Sequence, residues 1–134
     1  MDSKEIKDAI FSLAEKVGIK YPYRLVRFGP SSDGEPYIEF AFNEYCLVYS
    51  ERGVEFDRKK TQDPDVLIFW ILDIGVSEIA MEYELKNRLD GVDFRRIYFD
   101  KYLEIFSLAG EKWKIMAQEK VEEILLNHPY RDDI

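Results

Sequence analysis

Few residues in this chain could act as a nucleophile or a metal ligand. The sole histidine, His128, sits in a terminal His-Pro-Tyr turn, and the sole cysteine, Cys46, lies inside an apolar run. Nucleophilic catalysis needs a nucleophile, a base and a group that orients the base. No such set surrounds either residue, so both read as structural. A zinc site wants several Cys or His at ligand spacing, and one of each does not supply it. The many Asp and Glu show no recognisable cation-loop spacing. Paired carboxylates of the glycosidase kind stay open, because acids distant in sequence can meet in a fold. The segment Gly29-Pro30-Ser31-Ser32-Asp33-Gly34 has turn composition but not the glycine spacing of a phosphate cradle. No cofactor and no metal are expected.

Two other groupings are more informative. The first is Glu82-Tyr83-Glu84-Leu85-Lys86-Asn87-Arg88 followed by Asp93-Phe94-Arg95-Arg96. Glu84 and Arg88 are four apart, so on a helix they share one patch of surface. Arginine can fork two hydrogen bonds to a carboxylate and fix one helix against the next. Glu84, Arg88, Asp93, Arg95 and Arg96 therefore read as a structural junction, with an anion site or a docking patch as alternatives. The second grouping is aromatic. The chain holds 9 Tyr and 9 Phe, and Tyr37, Tyr45 and Tyr49 interleave with Glu39, Glu44 and Leu47. Tyrosine among charged residues suits a protein interface, and it equally suits rings packed beneath helices.

The elements that must position these residues follow from periodicity. Ser3 can cap a helix over 4–17, whose Ile6, Ile10, Leu13, Ala14 and Val17 form one face; Gly18 ends it. Short strands are expected at 24–28, 37–42, 45–50 and 54–60. In the second, Ile38, Phe40 and Phe42 point one way and Tyr37 and Glu39 the other. Asn43-Glu44 and Glu51-Arg52-Gly53 read as hairpin turns, so the sheet is an antiparallel meander. The charged Arg58-Lys59-Lys60 suits an edge. A long helix over 63–89 is capped by Asp63, has Pro64 at its first position and can be terminated by Gly91. Its run from Val66 to Leu72 is apolar all round, so it must be covered on several sides. A third helix, 94–108, is capped by Asp93 and turns Phe94, Ile97, Tyr98, Tyr102, Ile105 and Phe106 inward. A fourth, 111–126, ends at Asn127-His128-Pro129. The plan is α+β: an N-terminal helix, a meander of about four strands, then three helices packed on one sheet face, in a single domain spanning 1–134.

That plan leaves the opposite sheet face open. The expected docking surface is Tyr37, Glu39, Glu44, Tyr45, Leu47 and Tyr49, provided the hairpin register brings both strands' residues to one side. The net charge of −8 disfavours nucleic-acid backbones and suits a basic protein partner. The longest apolar run is too short for a bilayer, the first residues lack a secretory pattern, and one cysteine permits no internal disulfide. A cytoplasmic protein with no membrane partner is expected.

An ordered set of residues resembles a known family. Tyr45-Cys46-Leu47-Val48-Tyr49-Ser50-Glu51-Arg52-Gly53 is a strand entering a turn. Phe69-Trp70-Ile71, Tyr83-Glu84-Leu85-Lys86-Asn87-Arg88, Asp93-Phe94-Arg95-Arg96 with Phe99, Trp113 and Pro129-Tyr130 follow in order. Together they resemble the small immunity proteins of bacterial polymorphic toxin systems, over about residues 37–130. The resemblance implies a non-enzymatic cytoplasmic antitoxin that binds a cognate toxin domain and blocks it. It does not locate the binding face. Two other readings stay open: a protein-interaction or regulatory domain without a toxin, and a carboxylate-dependent hydrolase.

Overall fold

The computed structural model describes residues 1–30 and 34–133. The chain divides into two compact units, 1–75 and 76–134.

The first unit opens with α1, Ser3–Val17. Its cap is Asp2 rather than Ser3. The Asp2 carboxylate accepts from the Glu5 N–H at 2.8 Å, and the Glu5 carboxylate accepts from the Asp2 N–H at 3.2 Å. Two amides that the helix cannot pair are thereby satisfied. Ile6, Ile10, Leu13, Ala14 and Val17 are buried, and Gly18 closes the helix in the left-handed conformation.

The expected strand at 24–28 does not form. Pro22–Arg24 makes one 3-10 turn, with the Leu25 N–H donating to the Pro22 carbonyl. Proline starts such a turn readily, and the local bond removes a donor from any ladder. Among the described residues one backbone bond remains as a trace of pairing, from Ile38 N–H to the Arg27 carbonyl at 2.6 Å. The sheet therefore has three strands, not four: β1 Tyr37–Ala41, β2 Glu44–Glu51 and β3 Val54–Thr61, antiparallel in that order. Within the loop expected at 29–34, residues 31–33 lie outside the described residues.

Register divides the expected docking residues between the two sheet faces. Tyr37 pairs with Val48, Glu39 with Cys46 and Ala41 with Glu44. Residues directly opposite in an antiparallel pair share a face. Tyr37 and Glu39 thus share theirs with Cys46 and Val48. Tyr45 and Leu47 lie with Phe40 and Ile38, and Tyr49 alternates onto that same side. A two-residue tip pairs odd positions of β1 with even positions of β2 wherever it falls, so the expected face would have needed an odd number of loop residues. The tip also sits one residue earlier than expected: Phe42 and Asn43, not Asn43 and Glu44, form it, with Asn43 in the left-handed region at φ 58°. Phe42 consequently leaves its expected strand and stands 92% exposed. At the second hairpin, Arg52 and Gly53 both take positive φ, as the tight turn there requires.

Helix α2, Pro64–Lys86, is capped by Asp63, whose carboxylate accepts from the Asp65 N–H at 2.9 Å. Its first half belongs to the first unit and buries Leu67, Ile68, Phe69, Ile71 and Leu72. Lys59 Nζ lies 5.7 Å from the Trp70 ring and 5.9 Å from the Tyr49 ring, so this helix reaches the Tyr49 face of the sheet. Gly75 permits close approach of the connector: a Cβ there would meet Ile19 Cδ1 at 2.6 Å and Leu25 Cδ1 at 3.1 Å. Gly75→Leu should lower stability in urea unfolding by about 2 kcal/mol without changing the denaturant slope. Gly75→Ala should cost less, because the Ile19 methyl can move aside.

The second unit holds the rest of α2, then α3 (Phe94–Ala109) and α4 (Glu111–Asn127). Val76 and Ala80 are buried on α2. The helix stops at Lys86, short of Leu89 and of Gly91. Helix α3 buries Phe99, Tyr102, Ile105, Phe106 and Ala109; α4 buries Trp113, Ala117 and Val121. The Tyr102 and Phe106 rings meet edge to face at 5.0 Å, and Lys120 of α4 lies 5.8 Å from the Tyr102 ring. Phe94, expected inward, is 44% exposed at the first position of α3. Among the described residues, no helix is long and apolar enough to cross a membrane.

Candidate partner-binding surface and charged helix corner

The six expected docking residues fall into three situations. Glu39 is exposed and bound to Arg58, whose guanidinium donates to both its oxygens at 3.1 and 3.4 Å. Arg58 also forks onto Glu55 at 2.7 and 3.0 Å. This bridge runs from β1 to β3 across β2, over the face of Cys46 and Val48. The acids raise the Arg58 pKa above its ordinary value, and Arg58 lowers that of Glu55. Tyr37 lies half-buried on the same face.

On the other face, Leu47 is 1% exposed and offers nothing to a partner. Tyr49 is half-buried between Phe56 and Lys59, and burial, then Asp57 and Asp73, push its hydroxyl pKa up. The six residues therefore do not make one patch. What remains open is the hairpin end. There Glu44 is half-buried, and Tyr45 holds the Met1 backbone, accepting from its amino group at 2.8 Å and donating to its carbonyl at 3.2 Å. Phe40 packs its edge against Tyr45 and stacks on Phe28 at 5.9 Å. The sequence hid this cluster because strand alternation sent Phe40 and Phe42 inward; reading Phe42-Asn43 as the tip would have found it.

The charged corner is two arrangements, not one. Glu84, fully buried, takes a two-pronged grip from Arg88, at 2.7 and 3.0 Å, while the Arg88 side chain stays 56% exposed. The Arg88 hydrogen bonds hold the Glu84 pKa below its ordinary value against the opposing effect of burial. Asp93 is the second centre. It caps α3 through the Arg95 N–H, accepts the Arg95 guanidinium at 2.8 Å and accepts the Arg131 N–H at 2.9 Å. Arg95, then Arg131, hold the Asp93 carboxyl well below the usual carboxylate range. Arg95 also donates to the carbonyls of His128 and Pro129. Arg96 pairs with Asp132 at 2.9 Å, and both guanidiniums lie over the Tyr130 ring. Residues 128–133 are thus clasped onto the start of α3. A cavity of about 480 Å³ lined by Arg88, Leu89, Phe94, Arg95 and Arg131 lies beside this clasp. The roles of Tyr130 and Asp132 were invisible locally, since their partners stand more than thirty positions away.

Among the described residues, no three His, Cys, Asp or Glu are placed to hold a metal ion. Cys46 is fully buried.

Residues 42–123, well over half the chain, match the family described as Immunity protein 63. The chain belongs to that family. The matched span starts at the β1–β2 tip and runs into α4, so it contains Glu84, Arg88, Asp93, Arg95 and Arg96. Helix α1, β1 and the clasped tail lie outside it. No curated protein and no solved structure matches the chain. The match supports the family resemblance and assigns no residue a contact.

Proposed function

We propose that this Immunity protein 63 member is the cytoplasmic antitoxin of a bacterial polymorphic toxin system, binding one cognate toxin domain and blocking it without catalysis. Family membership carries the reading. The net charge of −8 supports a basic partner, since opposite charge speeds association. Of the sheet residues first assigned to that contact, Tyr37, Glu39, Glu44, Tyr45 and Tyr49 keep accessible surface, divided between two faces; Leu47 is buried.

The test is protection. The toxin domain encoded beside this gene is expressed in a bacterial host with and without the chain. Co-expression should restore growth, and the two proteins should co-purify. Undiminished killing in cells that contain the folded chain would defeat the proposal.

A further inference from the structure

Segment 128–133 sits on the start of α3 in the manner of a bound peptide. Its backbone is gripped at four points. Arg95 donates to the His128 and Pro129 carbonyls at 2.7 and 2.8 Å. The Arg131 N–H donates to Asp93 at 2.9 Å, and the Asp133 N–H to the Gly91 carbonyl at 2.8 Å. Two of its side chains are held as well. The Tyr130 ring centre lies 4.1 Å from the Arg96 guanidinium and 5.5 Å from that of Arg95, with the Phe99 ring at 6.4 Å. The Asp132 carboxylate takes a forked grip from Arg96 at 2.9 and 3.1 Å and accepts the Asp93 N–H at 2.8 Å.

The cradle and its occupant contribute differently to the fold. Asp93 and Phe99 of the cradle are enclosed, and Arg95 nearly so. Of the occupant, Tyr130 is half-buried and the other five residues are exposed. The buried residues of this unit lie on α2, α3 and α4 instead. The side-chain bonds that fix the segment face solvent, and each such bond is weak against competition from water. A segment held in this way opens at far less cost than global unfolding. Opening takes the Asp132 carboxylate from Arg96 and the Tyr130 ring from both guanidiniums. The vacated cradle then favours what it has lost: a short run of backbone, an aromatic ring for the arginines and, two residues on, a carboxylate that Arg96 can fork onto.

We infer that the start of α3 is a peptide-recognition cradle for a partner segment presenting an aromatic ring followed two residues later by an acid, and that segment 128–133 is its displaceable resident. The tether to α4 gives the resident a local concentration of about millimolar, so an incoming segment competes against it. The inference does not depend on the antitoxin reading.

Two measurements on the full chain test it. Hydrogen exchange should replace the amides of Arg131 and Asp133 about tenfold or more faster than those of residues 102–106 in α3. Equal protection would make the segment part of the folded core and overturn the inference. In the second measurement, the double variant Tyr130→Ala/Asp132→Ala weakens the resident. Backbone amide NMR follows parent and variant titrated with a peptide of residues 127–133, blocked at both ends. The variant should bind it with shifts gathered at 91–99, roughly tenfold more tightly than the parent does. The same peptide carrying Tyr130→Ala or Asp132→Asn should lose most of that binding. A folded variant that ignores the peptide, or that binds the altered peptides equally well, would defeat the inference. Equal affinity in parent and variant would do the same. So would a variant whose α3 amides lose their dispersion, since the segment would then be integral to the helix packing.

Discussion

Arg88→Ala should lower the melting temperature at neutral pH on the order of 10 °C, more than Glu84→Gln does. The asymmetry comes from burial. Glu84 is fully enclosed, whereas the Arg88 side chain keeps over half its surface in water. Removing the glutamate leaves a cation that water can solvate. Removing the arginine leaves a buried carboxylate with no counter-charge, the costlier outcome. The pH dependence should invert as well. In the parent, Glu84 has a folded pKa below its ordinary 4.5, so its contribution is present above that value and is lost as pH falls through the folded pKa. In Arg88→Ala, burial acts alone and raises the folded pKa. Stability is then retained below the ordinary value and lost as pH rises through the raised one. Melts of parent and variant should converge in acid and diverge towards neutrality. Adding Glu84→Gln to Arg88→Ala should recover part of the loss. Parallel melts at every pH would show that the pair carries no such weight.

Asp93→Ala should be comparably damaging, lowering the melting temperature by roughly 5–10 °C. The substitution removes the cap of α3, the counter-charge of Arg95 and an acceptor for the Arg131 N–H together. Asp93→Asn separates these effects, because asparagine caps nearly as well but brings no charge to Arg95. It should fall between parent and Asp93→Ala. Both Asp93 and Asp132 have folded pKa values below their ordinary 3.8. Their stabilisation is therefore complete above that value and disappears as pH falls through the lowered folded ones. The parent should lose stability steeply below about pH 4, and Asp93→Asn should lose less over the same range. Acid melts with equal slopes for the two proteins would remove Asp93 from the account.

How much of this was legible depended on distance along the chain. Caps and stops act within one turn, so Asp63, Gly18 and Asp93 announced their helices correctly. The Ser3 cap was one residue late because Asp2 and Glu5 bond reciprocally and Ser3 cannot compete. A spacing of four pointed to the Glu84–Arg88 contact, although α2 ends at Lys86 and Arg88 reaches back from beyond it; that the acid would be buried and the base exposed was not readable from spacing. Strand 24–28 failed because Pro22 diverts the chain into a turn. The expected sheet face mixed residues of opposite parity: a two-residue tip, at 42–43 or at 43–44, pairs odd positions of β1 with even positions of β2, so Tyr37 and Glu39 do not share a side with Tyr45, Leu47 and Tyr49. Arg58 with Glu39, and Arg96 with Asp132, lie beyond any local pattern.

The bridge from Glu39 through Arg58 to Glu55 has one more consequence. It spans the sheet beside Cys46, a thiol with no accessible surface. An alkylating reagent can reach that sulfur only when the sheet opens. The chain thereby carries an intrinsic clock: the rate at which Cys46 is labelled counts excursions of the three strands from their closed state, and a bound partner that holds them shut would slow it.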